Sequence, residues 1–248
     1  MSFLSSLGFF TTIPVPRRFQ DNVGGSLVYL PIIGVIIGLI LAGLSYLLDF
    51  LVPPPLAAGL CIAALVGLTG ALHLDGFLDT CDGFARHGSI EERWAAMVDS
   101  RAGGLGVVGV VCLLLLKFVS LAALSESMKP IALLLMPLLG RWGMAYSIFA
   151  FPYAKLQGVG KSFKETSSWR DLAISTGICL IVVLLLLGLT GMVIMFWIWI
   201  LVLLVGSLLK KTFGGLTGDN YGAICELMEV TTLIAFAAIS YGGCWGYR

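Results

Sequence analysis

Seven long apolar runs constrain this chain more than any other feature it has. They cover roughly residues 28–50, 54–72, 105–124, 130–152, 171–189, 192–209 and 227–245. A helix needs about 20 mostly apolar residues to cross a bilayer, and each run approaches that length. With 58% hydrophobic and only 12% charged residues, the chain could not cover a water-exposed surface of this size. The predicted fold class is therefore all-α: a polytopic membrane protein of about seven transmembrane helices, forming one domain over residues 1–248. Val52-Pro53-Pro54-Pro55 and Ser125–Lys129 read as tight turns, whereas 73–104, 153–170 and 210–226 are longer and polar. The break near Thr190-Gly191 is weak, so the count is good to one span.

Lys and Arg set the expected orientation. Arg17, Arg18, Arg86, Arg93, Arg101, Lys155, Lys161, Lys164, Arg170, Lys210 and Lys211 fall on the N-terminal segment and the three long connections. The opposite side holds only Lys129 and Arg248. The N-terminus and all three long connections are thus expected in the cytoplasm, and any chemistry with them. No Lys or Arg precedes the first apolar residues, so the N-terminus does not read as a signal peptide. Phe3, Leu4, Leu7, Phe9 and Phe10 predict a short helix lying in the membrane interface. A net charge of +1 gives no reason to expect a nucleic-acid partner. Six scattered cysteines without a CxxC pair predict neither a disulfide scaffold nor a sulfur-bound metal.

The polar connections carry the chemistry. In His73-Leu-Asp75-Gly-Phe-Leu-Asp79-Thr-Cys-Asp82-Gly-Phe-Ala-Arg86, helical spacing lines up Asp75, Asp79, Asp82 and Arg86 on one stripe. Three carboxylates on one face repel each other unless a cation compensates them. Oxygen-only donors favour Mg²⁺ or Mn²⁺ over zinc. A solvated acidic face is the plainer alternative, but the stripe adjoins an apolar run and alternates with Leu74, Phe77, Leu78 and Phe84. His73 falls on the other side of the helix, where packing or support of the ligands suits it better than ligation. Gly76 and Gly83 leave room for a substrate or another helix.

A second acidic face follows in Thr217-Gly-Asp219-Asn-Tyr-Gly222-Ala-Ile-Cys-Glu226-Leu-Met-Glu229. Asp219 stands where a helix cap would be; Gly222, Glu226 and Glu229 share its face. Two such faces could complete one metal site, with Asp75, Asp79, Asp82, Asp219 and Glu226 as ligands and Glu229 behind them. In Asp99-Ser100-Arg101-Ala-Gly103-Gly104-Leu-Gly106, a glycine-rich helix start could present the N–H groups of Gly103 and Gly106 to a phosphate, and Arg101 a two-pronged contact. A flexible loop with Arg101 anchored at the interface is the alternative. Lys117 and Arg141 lie within apolar runs, where each costs roughly 2.5–3.5 kcal/mol at mid-membrane. Both are expected inside the bundle, either paired with the carboxylates or binding an anionic substrate.

Together these stretches resemble the cobalamin synthase family, the membrane adenosylcobinamide-GDP ribazoletransferases. Phe9-Phe-Thr11-Thr-Ile-Pro14-Val-Pro16, His73 to Gly83, Asp99 to Gly106, Gly158-Val-Gly160-Lys-Ser-Phe163 and Thr217 to Glu229 are similar to five family motifs, in order. The resemblance implies transfer of the cobinamide phosphoryl group of adenosylcobinamide-GDP to α-ribazole or its 5′-phosphate, releasing GMP. It implies Mg²⁺ as cofactor, small-molecule substrates, the cell inner membrane as location, and Asp82 and Arg101 as the residues closest to the chemistry. It also admits a homo-oligomer and association with other enzymes that assemble the cobalamin nucleotide loop. A CDP-alcohol phosphotransferase is the nearest alternative, but Asp79-Thr80 stands where that pattern needs Ala-Arg. A transporter is the other; the acids cluster toward one membrane face, which argues against it.

Overall fold

The computed structural model describes residues 3–16, 26–99, 101–154 and 158–241. Arg17, Arg18, Ser100, Lys155, Cys244, Arg248 and the predicted end of the last run at 242–245 lie outside them. Ten helices make up the described residues: α1 (Phe3–Phe10), α2 (Tyr29–Leu48), α3 (Pro54–Thr69), α4 (Leu72–Ala85), α5 (Ile90–Val98), α6 (Gly104–Ala122), α7 (Lys129–Ala150), α8 (Val159–Thr166), α9 (Trp169–Phe213) and α10 (Gly218–Tyr241). The one β-type pairing among them is a single bridge between Tyr153 and Leu216. Five helices are long and apolar enough to cross a membrane, and α3 with α4 makes a sixth candidate bent by 90°.

α7 is the central helix, with Leu133, Leu135, Met136, Leu138, Leu139 and Ala145 buried along its length. It packs most extensively on α2 and α10. α2 buries Leu30, Ile33, Gly34, Ile37, Gly38 and Leu41, the i, i+3, i+4 stripe of a helix with one packed face. Gly34 and Gly38 form a small-residue step of the kind that lets membrane helices approach. A Cβ on Gly34 would stand 2.6 Å from the Pro137 carbonyl oxygen, and one on Gly38 2.7 Å from the Leu134 Cα. The other face, including Leu39 and Leu47, is exposed, as expected of a lipid-facing surface.

α9 is not one straight rod. At Gly188 the backbone takes φ 56° and ψ −137°, a conformation open to glycine. Trp142 on α7 donates to Thr176 Oγ1 at 3.0 Å, and Tyr146, one turn further along, meets the Trp199 ring at 6.3 Å. In a straight helix residues 176 and 199 would lie about 34 Å apart. The chain therefore doubles back, and residues 169–187 and 189–213 form the two arms of a hairpin. The turn falls at Gly188 rather than near Thr190-Gly191, because Gly188 carries the special dihedral angles. Gly191 is instead the contact glycine: a Cβ there would stand 2.8 Å from the Val183 carbonyl oxygen.

The two ends of the bundle differ in chemistry. Asp49, after α2, and Lys129, starting α7, pair at 3.1 Å at one end. At the other end the described parts of the segments 73–104, 153–170 and 210–226 come together, joined by the Tyr153–Leu216 bridge and by contacts of Gly76 with Asp219 and of Gly160 with Gly218. α1 packs into this end, with Phe10 buried against His73 and Phe163 at ring distances of 5.8 and 5.4 Å. It is an integral part of the fold there. Segment 73–104, read as a long polar connection, is largely helical: α4 and α5 occupy most of it.

Candidate active site

The polar end is organised by the crossing of α4 and α10. Gly70 and Ala71 both adopt φ 58°, and this left-handed pair turns the chain from α3 into α4. α4 then meets α10 backbone to backbone. A Cβ on Gly76 would stand 2.8 Å from the Asp219 carbonyl oxygen, and one on Gly222 3.1 Å from the His73 Cα. Asn220 Nδ2 donates to Thr80 Oγ1 at 3.0 Å and ties the two helices sideways. The cap of α10 is Thr217, not Asp219. Thr217 Oγ1 accepts from the Asn220 N–H at 3.3 Å while Asn220 Oδ1 accepts from the Thr217 N–H at 3.0 Å. This reciprocal arrangement resembles a capping box. It places Asp219 in the first turn, where its charge is favoured by the helix N-terminus.

Asp75, Asp79 and Asp219 border one open cavity of about 400 Å³, and Asp99 joins them. Asp99 was not among the predicted ligands. It arrives at the end of α5, which is fixed by a capping box between Ser89 and Glu92, a pattern readable in Ser89-Ile-Glu-Glu92. Arg101 donates from Nε and Nη2 to the two Asp99 oxygens at 3.1 and 2.9 Å. These bonds hold the Asp99 carboxyl at about 2, below the ordinary carboxylate range. Four carboxylates from three segments thus surround a single space. No three His, Cys, Asp or Glu side chains among the described residues are arranged to hold a metal ion as placed. The donor chemistry, oxygen throughout, is that of a hard divalent cation.

Asp82 leaves the stripe for a different partner. Its Oδ2 accepts from the Gly103 N–H and its Oδ1 from the Gly106 N–H, both at 2.7 Å. The start of α6 does bind an anion, as helix N-termini do, but the anion is the Asp82 carboxylate. Gly103 and Gly106 therefore do not offer these N–H groups to a phosphate, and Asp82 secures the α4–α6 junction. Arg86 also leaves the stripe: α4 ends before it, and it lies 4.0 Å from Glu92. The Arg101 side chain is 88% exposed at the rim of this junction.

The deeper half of the second acidic face is also separate from the cavity. Lys117 Nζ donates to Glu226 at 2.7 Å and to Glu229 at 2.5 Å, and Arg141 Nη1 donates to Glu229 at 2.5 Å. All four side chains are buried. Two cations and two carboxylates form a neutral cluster tying α6, α7 and α10 together, which offsets the cost of each charge. Glu226 belongs to this cluster and not to the Asp75–Asp79–Asp219 group. Seven residues beyond Asp219, it lies about 10 Å further along the helix. Of the two roles open to Lys117 and Arg141, the structure shows carboxylate pairing.

His73 does not border the cavity of Asp75, Asp79 and Asp99. It lines a second cavity of about 410 Å³ with Phe9, Phe10, Tyr153, Phe163 and Tyr221. Asp219 and Gly218 border this space as well. Both ring nitrogens of His73, and the Tyr221 hydroxyl, are buried without a hydrogen-bond partner. The cysteines 61, 81, 112, 179 and 225 are free thiols.

A bundle of apolar helices carrying a carboxylate-lined cavity and an aromatic one at the same end defines a membrane protein built for polar chemistry beside the bilayer. Comparison with known proteins specifies the kind. The cobalamin-5-phosphate synthase family model matches residues 2–237, and the chain belongs to that family. It is 36% identical over 235 residues to an adenosylcobinamide-GDP ribazoletransferase of Thermosynechococcus vestitus, covering 94% of this chain and 95% of the relative. The enzyme of the same name from Geotalea daltonii is 35% identical over 240 residues, covering 96% and 97%. That from Acetivibrio thermocellus is 37% identical over 237 residues, covering 94% and 96%. No solved structure matches the chain.

Proposed function

We propose that this chain joins adenosylcobinamide-GDP to α-ribazole, or to α-ribazole 5′-phosphate, giving adenosylcobalamin or its 5′-phosphate and GMP in vitamin B12 biosynthesis. The family match over nearly the whole chain carries the reading. The ribose 5′-oxygen attacks the cobinamide phosphorus, the bond from that phosphorus to the bridging oxygen breaks, and GMP departs with the oxygen. The hydroxyl proton passes to a carboxylate. That Asp219 borders both cavities supports it for this role over Asp82, whose oxygens are taken by the Gly103 and Gly106 N–H groups.

Charge on the transferred and leaving phosphates must be neutralised for such a displacement. Mg²⁺ would supply that neutralisation when bound. One or two of Asp75, Asp79 and Asp219 would hold it, with Asp99 at the rim. Mg²⁺ is usually held by one or two carboxylates together with waters and substrate phosphates, so a closed cage of side chains is not required. Arg101, bonded to Asp99, would meet phosphate charge from its exposed position beside the α4–α6 junction. The acidic end faces the cytoplasm of the inner membrane in this reading, supported by the excess of Lys and Arg on the segments gathered there. The two arms of α9 then count as separate crossings, making seven with α3.

The test uses purified protein in liposomes with adenosylcobinamide-GDP, α-ribazole and Mg²⁺, following GMP by chromatography. GMP and cobalamin should appear in equal amounts. No GMP above a protein-free control, with the phosphorylated acceptor also tried, would overturn the assignment.

A further inference from the structure

The Gly158-Val-Gly160-Lys-Ser-Phe163 motif takes no part in the acidic cavity, yet it builds much of the aromatic one. Gly158 adopts φ 135°, and Gly160 is so close to α10 that a Cβ would stand 3.1 Å from the Gly218 Cα. α8 is thereby pressed onto the start of α10. Lys164 Nζ fastens it further by donating to the Phe149 carbonyl at 2.6 Å. Phe163, buried, is delivered to Phe9 and Phe10 at ring distances of 5.8 and 5.4 Å. Tyr153 and Tyr221 pack on each other at a ring distance of 6.2 Å and both line the same space.

We propose that this cavity seats the base of the nucleoside acceptor, a flat and mostly apolar heteroaromatic ring such as the benzimidazole of ribazole. The inference rests on the transferase reading above and adds where the acceptor binds. Its volume, about 410 Å³, lies in the range of small-ligand pockets and is small for a corrin macrocycle. Its walls are aromatic, and flat bases stack on such faces. Two buried polar groups, the His73 imidazole and the Tyr221 hydroxyl, each 3% exposed, line it without partners. Leaving such groups unmatched is costly. A ring nitrogen of the base satisfies one of them, which an acyl chain cannot do. Two other flat bases are in the reaction: guanine, whose N–H edge calls for acceptors, and the adenine of the adenosyl group, which is carried on the corrin that the cavity is small for. Asp219, at the border with the acidic cavity, is the one carboxylate among the lining residues. With the base inside, the ribose lies toward Asp219, and its 5′-oxygen is directed at the acidic cavity.

The test compares parent, Phe163→Leu, Phe163→Ala and Tyr221→Phe proteins in liposomes. The KM for each substrate is measured, together with equilibrium dialysis of α-ribazole without donor. Losing one stacking face should raise the KM for ribazole about tenfold. It should weaken ribazole binding by the same factor and leave the KM for adenosylcobinamide-GDP at its parent value. Phe163→Leu keeps an apolar side chain and decides the matter if the alanine variant does not fold. Tyr221→Phe should raise the ribazole KM several-fold. A parent-like ribazole KM in Phe163→Leu overturns the proposal, as does a rise confined to the donor, which would seat guanine here. Failure of the parent to release GMP would instead overturn the transferase reading; dialysis still reports on the cavity in that case.

Discussion

Gly76 lies directly on the backbone of Asp219, so close that a Cβ would stand 2.8 Å from the Asp219 carbonyl oxygen. This contact brings Asp75 and Asp79 of α4 to the same cavity as Asp219 of α10. The obstacle is backbone, which cannot swing aside as a flexible side chain would. Gly76→Ala should therefore part the helices, cost about 1–3 kcal/mol as an overpacked contact, and lower GMP release at least tenfold. Gly43→Ala is the control, since nothing lies within 4 Å of its added Cβ. Thermal unfolding in detergent and turnover are measured for both. Parent-like turnover in Gly76→Ala would mean that this crossing does not set the site.

Lys117 is expected to act on folding. Replacing it with Met leaves Glu226 and Glu229 buried, with Arg141 as their remaining cation. Breaking a buried pair in this way typically costs about 3–5 kcal/mol. Adding Glu226→Gln removes the surplus charge and should recover a large part of the stability, leaving the Arg141–Glu229 pair. A stable Lys117→Met protein with a raised KM for adenosylcobinamide-GDP would return Lys117 to substrate binding.

Arg101 provides a contrasting case at the surface. Its guanidinium holds both Asp99 oxygens, a geometry that an ammonium group cannot copy. Arg101→Lys should fold and unfold like the parent, because the pair is exposed and contributes little to stability, yet lose about tenfold in turnover. Unchanged turnover would reduce Arg101 to an interface anchor.

How far these features were legible depended on what the sequence pattern encodes. Apolar run length encodes helices, so the runs behind α2, α3, α6, α7, the two arms of α9 and α10 could be read directly. Helical spacing encodes a shared face, which grouped Asp75 with Asp79 correctly. It does not encode depth or the opposing partner. Glu226 shares the face of Asp219 but lies two turns deeper, opposite Lys117. Asp82 shares the stripe of Asp79 but meets the α6 helix start, and a helix start accepts a carboxylate as readily as a phosphate. Two further features are written in local sequence: Thr217-Gly-Asp-Asn220 as a cap, and Asp99 two residues before an arginine that can fix it. The aromatic cavity is different. Its walls come from α1, α4, α7, α8 and α10, and no spacing within one segment reveals that they meet.

The hairpin in α9 makes a prediction about topology. Reporter fusions after residues 87, 160 and 215 should all give cytoplasmic signals, and a fusion after Gly188 a periplasmic one. A straight α9 would put its two ends on opposite sides of the membrane. A periplasmic signal at 215 with a cytoplasmic one at 160 would discard the hairpin crossing.

The metal reading is tested most directly through two carboxylates from different helices. Asp79 and Asp219 border one cavity, and Asn keeps the shape of Asp while removing its charge. Asp79→Asn and Asp219→Asn should each fold, and each should shift the Mg²⁺ dependence of GMP release to higher concentration by about tenfold or more. If both act on the same ion, the first substitution already removes much of what the second could. The double variant should then lose far less than the product of the two single effects, since residues serving one site are not additive. The assay titrates Mg²⁺ for the parent, both singles and the double in liposomes. Unchanged Mg²⁺ dependence in both singles would remove these carboxylates from metal binding. Strictly multiplicative losses would leave Asp79 and Asp219 serving separate sites, although the Gly76 contact holds their helices together.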